Sequence, residues 1–176
     1  KLLDRLHNML TLDSMIPEKR KKISDETMRF YAPLDHRLGI YWLKEELEAL
    51  NFYFMYPDEW KKIDDYISTK YPNHDQILEN LKHTLIETIK QNGPAVASKI
   101  STVYGRLKSY FSIYRKTIKQ ERSINSLHDI IGMRVIIDSP DSSDCYVVMA
   151  AVHSSPEFTI INERFKDYIA TPKTNR

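Results

Sequence analysis

Apolar residues recur at helical spacing through the first half of the chain. In KLLDRLHNMLTL, at about 100° per residue, Leu2, Leu3, Leu6, Met9 and Leu10 fall on one arc, with Asp4, Asn8 and Thr11 as a stripe on the opposite side. Pro17 is placed to open a second helix, which runs through a basic surface turn from Lys19 to Lys22. Met28, Tyr31 and Ala32 continue a helical face until Pro33 bends or ends it. A third helix is expected over about Tyr41 to Phe54, with Leu43, Leu47, Leu50 and Phe54 in register, and a short one around Trp60 to Ile67. Ile77, Leu78, Leu81, Leu85, Ile86 and Ile89 then form the clearest stripe, stopped by Gly93-Pro94.

Beyond that pair the pattern changes. Val96 to Tyr104 reads as a strand. Tyr110, Ile113, Tyr114, Thr117 and Ile118 form a helical face. IIGMRVII, residues 130–137, is a nearly unbroken apolar run of the kind found in strands buried on both faces. Tyr146 to His153 suits a helix behind it. The first half therefore reads all-α and the second α/β, an α+β chain with its boundary near Gly93.

Composition narrows the functions open to such a chain. Its 176 residues are 41% hydrophobic, enough for a core, and its net charge of +2 is too balanced for a general coat on nucleic acid. A polyanion site must come from local clustering. Four glycines, with no GxxxxGK[ST] and no GxGxxG, leave phosphate binding to side-chain cations and a metal. The single cysteine, Cys145, excludes a disulfide framework within the chain, suits a reducing cytoplasmic setting, and sits in an apolar helix where packing is expected. No apolar run approaches the roughly 20 residues that span a bilayer, so no membrane is expected, and no signal peptide is visible. The chain opens on Lys1 without an initiator Met, which leaves room for an upstream segment.

Chemistry can sit in four places. Asp4, Asn8 and Thr11 offer one carboxylate and two polar groups on one helix face; the pattern alone favours an ordinary solvated face, since a metal site usually needs three or more protein ligands. GRLKSYFSIYRK, residues 105–116, alternates Arg106 and Lys108 on a strand, then sets Ser112 and Lys116 at i, i+4 on a helix, with Arg115 and Lys119 extending the basic side. A phosphate site and a solvated basic face explain it equally. Asp129 precedes the apolar run, where an acidic residue can ligate magnesium but can also cap a helix or make a turn. Arg164, Lys166 and Lys173 add cations to an aromatic-rich segment, which alone is a generic basic loop. His36, His74, His83 and His153 have no metal-ligand spacing.

Taken in order, these segments resemble the bifunctional Rel/SpoT homologue family over most of the chain. DRLHNM with Thr11 resembles the last metal-binding motif of that family's HD-type hydrolase, and ETMRFYAPLDHRLGIYWLKEELEALNF its continuation. GRLKSYFSIYRK, HDIIGMRVIID with Cys145-Tyr146, and RFKDYIATPK resemble three successive synthetase motifs. Leu10 stands where the family usually has Arg, Asp35 and Gly132 where it usually has Ala, and Arg176 where Gly is more frequent.

The resemblance implies an all-α HD-type portion in residues 1–70, a connecting helix in 71–94, and the start of a mixed-sheet, nucleotidyltransferase-like synthetase portion in 95–176. It implies pyrophosphate transfer from ATP to the 3′-hydroxyl of GDP or GTP, with magnesium (Mg), and the opposing manganese (Mn)-dependent hydrolysis of (p)ppGpp. Asp4 would bind manganese, and Asn8 and Thr11 the nucleotide beside it. Arg106 would stack on adenine, Lys108, Ser112 and Lys116 would hold the ATP phosphates, and Asp129 would bind magnesium. Lys166 and Lys173 would stabilise the transferring phosphates, with Arg164 beside the guanine nucleotide. The resemblance places the hydrolase His and His-Asp pair before Lys1 and the guanine-stacking Tyr and a catalytic Glu after Arg176, so residues 1–176 alone are expected to be inactive. It leaves room for ribosome association through C-terminal regions. Two alternatives stay open: a synthetase whose hydrolase half is only regulatory, and a non-catalytic nucleotide- or RNA-binding module using Arg106 to Lys119.

Overall fold

The computed structural model describes residues 1–119 and 123–173; Arg176 lies outside them. It is helix-rich with a small two-stranded sheet. The chain falls into two compact units, one formed by Lys1–Asn73 with Leu107–Ile130, the other by His74–Arg106 with Ile131–Arg176.

The first unit opens with α1 (Leu2–Leu10) and α2 (Pro17–Glu26), the latter started by Pro17. Helix α2 runs through a π-helical turn at Thr27–Tyr31 into α3 (Ala32–Arg37), and Pro33 follows just after that turn without ending the helix. The stop comes later, at Gly39. Its φ of 75° lets its N–H reach the His36 carbonyl and the Ile40 N–H reach that of Asp35, a Schellman closure. Helices α4 (Tyr41–Met55) and α5 (Pro57–Lys70) follow. Met9, Leu12, Leu43 and Leu47 form one core cluster.

Helix α1 departs from the expected arc. Leu3 and Leu10 are exposed, and Arg5 is buried. The Arg5 guanidinium bonds Glu26 at 2.7 Å and lies 4.2 Å from the Tyr31 ring centre, so the charge is paired and stacked. Both partners lie far along the chain, beyond the reach of local periodicity.

Asp35 is fully buried, and neither carboxylate oxygen has a hydrogen-bond partner. Burial pushes its carboxyl above the ordinary range. Replacing it with Ala removes this unpaired group and improves helix propensity, so Asp35→Ala should stabilise the first unit by about 1–2 kcal/mol. The sign with pH follows from the raised folded value. The penalty is smallest below the ordinary carboxylate pKa and grows as pH rises through it, so the gain in thermal midpoint should be larger at pH 7 than at pH 3.5. Equal midpoints for the two proteins at pH 7 would contradict this.

A second cluster in the same unit holds Phe52, Ile63, Ile67, Ile113, Leu127 and Ile130. Ile113 comes from α8 (Tyr110–Lys119), which packs on α5 through Trp60 and Tyr110 and is tied there by the Tyr110 hydroxyl on Asp64 at 3.0 Å. Burial and then the Asp64 carboxylate push the Tyr110 phenol up to about 12, so it remains a donor.

The second unit contains α6 (His74–Asn92), the short α7 (Pro94–Ala97), β1 (Ile100–Leu107, whose last residue belongs to the first unit), β2 (Ile131–Ile137) and α9 (Ser143–His153). The strand expected from Val96 therefore begins at Ile100. Pro94 starts a helical turn instead, and the Val96 and Ala97 N–H groups bond the Gly93 carbonyl. The strands run antiparallel: the Asp138 N–H reaches the Lys99 carbonyl, and Arg134 sits across from Tyr104.

β2 is not buried on both faces. Met133, Val135 and Ile137 face a core with Leu85, Ile89, Val96, Val103 and Val148, while Gly132, Arg134 and Ile136 are exposed. An apolar run reports affinity for a core; it cannot count the layers present. Gly105 permits close packing here, because a Cβ would stand 2.7 Å from both the Leu78 Cδ2 and the Met133 Sδ. Cys145, expected to pack, is exposed, since the packed side of α9 carries Val148 and Val152. Among the described residues, no helix is long and apolar enough to cross a membrane.

Candidate functional site

The candidate site is built where β1 gives way to α8. The Lys108 N–H bonds the Ile130 carbonyl at 2.8 Å, which sets Lys108 beside the residue following Asp129. Ser109 precedes the first turn of α8. Its hydroxyl accepts the Ser112 N–H at 3.4 Å, as an N-cap residue does, and donates to the Ser112 hydroxyl at 2.8 Å. Ile113, with no exposed surface, fixes the helix in the core. Lys116, one turn beyond Ser112, then reaches back to Asp129.

The result is a carboxylate held by two ammonium groups. Lys108 Nζ lies 2.7 Å from Asp129 Oδ2, and Lys116 bonds the same oxygen. Partial burial of Asp129 opposes its ionisation, but the hydrogen bonds and charges of the two lysines outweigh that and bring its pKa down to about 2. Because the folded value lies below the unfolded one, the stabilisation is present above the ordinary carboxylate pKa and fades as pH falls toward 2. A carbon-13 NMR titration of the Asp129 carboxyl should therefore show a midpoint near 2; one near 4 would mean that the lysines do not hold it. Arg115, one residue before Lys116, instead lines a separate cavity of about 430 Å³ with Arg37, Lys44 and Glu48.

In the second unit, Arg106 lies on the exposed face of β1. Tyr104 and Arg134 pair on that face, with the guanidinium 5.5 Å from the ring centre and 2.8 Å from the hydroxyl. Arg164 ends a short 3₁₀ turn, Asn162–Arg164, and its side chain and that of Lys166 are exposed. Lys173 Nζ lies 4.6 Å from the Tyr168 ring centre. On α1, Asp4 is exposed with 83% of its side-chain surface free, Asn8 is half-buried, and the Thr11 hydroxyl bonds the His7 carbonyl at 3.1 Å. Among the described residues, no group of three or more His, Cys, Asp or Glu side chains converges as a metal site.

A family model described as a region found in RelA / SpoT proteins matches residues 105–176, and an HD domain model matches residues 1–41. The chain is 39% identical over 176 residues to the probable guanosine-3′,5′-bis(diphosphate) 3′-pyrophosphohydrolase of Synechocystis sp., covering 100% of this chain and 22% of that protein. Over these matched segments the chain is similar to Rel/SpoT homologues. It is 38% identical over 175 residues to the GTP pyrophosphokinase rsh of Brucella suis, covering 99% of this chain and 22% of that protein. It is also 38% identical over 174 residues to the bifunctional (p)ppGpp synthase/hydrolase RelA of Mycobacterium tuberculosis, covering 98% of this chain and 22% of that protein. The chain thus spans about a fifth of the length of these relatives.

Within the region matched by the RelA / SpoT model, the structure joins Lys108, Lys116 and Asp129 directly. The family resemblance assigns the two lysines to ATP phosphates and the carboxylate to magnesium, and the structure adds that the three side chains touch. Their mutual contact depends on the backbone register at Ile130. The Tyr146 contact with Asp167, and that of Tyr104 with Arg134, had no sequence signal beyond residue type.

Proposed function

We propose that the protein containing this chain makes (p)ppGpp by transferring pyrophosphate from ATP to the 3′-hydroxyl of GDP or GTP, and removes that pyrophosphate in an opposing hydrolysis, as a cytoplasmic stringent-response enzyme. Residues 1–70 form part of the HD-type hydrolase, 71–94 the connecting helix, and 95–176 the start of a nucleotidyltransferase-like synthetase. The observation that carries this reading is the Lys108–Asp129–Lys116 cluster, three side chains suited to triphosphate and metal, inside the RelA / SpoT-matched region.

Asp129 fits magnesium. Its carboxylate is ionised far below neutral pH and is about half exposed, and magnesium commonly uses one or two protein carboxylates beside substrate phosphates. Magnesium bound with ATP would supply charge neutralisation across the phosphates. Lys108 and Lys116, which bond Asp129, would hold the ATP phosphates, and the Asp129 carboxylate beside them would hold the cation. Arg106 stacks on adenine, and Ser112 contributes its hydroxyl to the phosphates. The 3′-oxygen bonds to the β-phosphorus as the bond from that phosphorus to the α,β-bridging oxygen breaks. AMP leaves with the electron pair, and the hydroxyl proton passes to solvent. Arg164, Lys166 and Lys173 face the guanine nucleotide and the transferring phosphates as fixed cations.

For hydrolysis, Asp4 offers one carboxylate, with Asn8 and Thr11 along the same helix. One carboxylate does not hold manganese alone. The full-length protein, given ATP and GDP with magnesium, should form ppGpp and AMP. Given ppGpp and manganese, it should release pyrophosphate. Asp4→Asn should reduce that release by at least about a hundredfold and leave synthesis within about twofold. Wild-type hydrolysis by this variant would remove Asp4 from the site.

A further inference from the structure

The segment carrying Lys166 and Lys173 lies on the surface of the second unit. Among the described residues 161–173, Asp167 alone is half-buried, and the others are exposed. Its Oδ1 accepts the backbone N–H groups of Ile169 and Ala170, both at 2.9 Å, which folds the segment into a turn. The same carboxylate accepts the Tyr146 hydroxyl, at 3.0 Å to Oδ1 and 2.9 Å to Oδ2. Tyr146 belongs to α9, whose Val148 and Val152 are packed in the core of this unit. The hydroxyl is therefore a point on the rigid scaffold, and Asp167 is where the exposed turn is moored to it.

Both cations lie in the moored segment. Lys166 directly precedes Asp167. Tyr168 directly follows it, and Lys173 folds back over the Tyr168 ring. The Lys173 ammonium in turn holds the Tyr168 phenol below its usual pKa range. The hydrogen bond to Asp167 raises the Tyr146 phenol, so Tyr146 remains a donor at neutral pH. Phe165 to Tyr168 and Thr171 to Lys173 line one recess of about 550 Å³.

We propose that Tyr146 is a positioning residue for pyrophosphate transfer: by holding Asp167 it presents Lys166 and Lys173 to the transferring phosphates. This rests on the reading of those lysines given above. Cations stabilise developing charge most when their geometry is set before the reaction, and an unmoored turn must be ordered at an entropic cost during it.

The test uses Tyr146→Phe, Asp167→Ala and the double variant in the full-length protein, with Lys166→Ala as reference. Tyr146→Phe keeps the ring in α9 and removes only the hydroxyl. It should lower kcat for ppGpp synthesis about tenfold, the scale of one charge-assisted hydrogen bond at a partly exposed position. KM for ATP and GDP, the hydrolysis rate and the thermal midpoint should stay within about twofold or a degree of wild type. The double variant should be no slower than the slower single variant, because both remove the same tie. Synthesis by Tyr146→Phe within twofold of wild type, with Lys166→Ala strongly impaired, would overturn the positioning role. Parallel losses of synthesis, hydrolysis and thermal stability would also overturn it, as the signature of a structural tyrosine. Undiminished synthesis by Lys166→Ala would instead remove the underlying assignment of the lysine.

Discussion

Asp129→Asn in the full-length protein should cut pyrophosphate transfer by at least about a thousandfold while hydrolysis stays within about twofold. Asn matches Asp in size but has no charge, so a magnesium ligand of the kind proposed for Asp129 would be lost. The geometry adds a second expectation. In the native protein, Lys108 and Lys116 are both committed to Asp129 Oδ2. Without that carboxylate they are free to take ATP phosphates from the outset. ATP binding should therefore hold or tighten as kcat collapses, so KM for ATP stays level or falls. Loss of a pure substrate-binding residue would raise it. Initial rates across ATP concentrations at saturating magnesium separate these cases. Comparable synthesis by variant and wild type would end the metal assignment.

Reversing two charges in the 164–167 segment should have the next largest effect. Arg164→Glu with Lys166→Asp exchanges two exposed cations for two anions where the proposed function places the transferring phosphates. The wild-type protein should use GDP at least as well as GTP, because fixed cations already neutralise part of the phosphate charge. The double variant should synthesise roughly a hundredfold more slowly, need more magnesium, and shift toward GTP. Both native side chains are exposed, so the fold should tolerate the change and the thermal midpoint should move little. Rates for GDP and GTP across a magnesium titration provide the measurement. Unchanged rates and preference would identify Arg164 and Lys166 as ordinary solvated charges.

The helices were legible wherever periodicity is local. The stripes in α4, α6 and α8 need only their own residues, and their bounds shift by a few positions at most. Partners distant in sequence were not legible. Arg5 is buried because Glu26 and Tyr31 come to meet it, and the exposed face of β2 reflects which layers surround the strand. Val96 is β-branched and apolar, yet Pro94 at a helix start decides its backbone. At the site, residue types marked Lys108, Lys116 and Asp129 as candidates, whereas the oxygen that the two lysines share is a product of backbone register. Asp35 breaks the rule that buried charge is paired, and nothing in its neighbours in the sequence foretold that.

The packing of α8 bears on how the protein can be divided in the laboratory. A piece beginning after the Gly93-Pro94 pair would carry Phe111, Ile113 and Tyr114 without Phe52, Ile63 and Ile67, which share their core. Ile113, now sealed from solvent, would face water on the same helix that bears Lys116. Such a piece would express as a self-associating species, and its lysines would be scattered with the helix that holds them. Shortened proteins intended for ATP-binding assays should therefore begin upstream of Phe52.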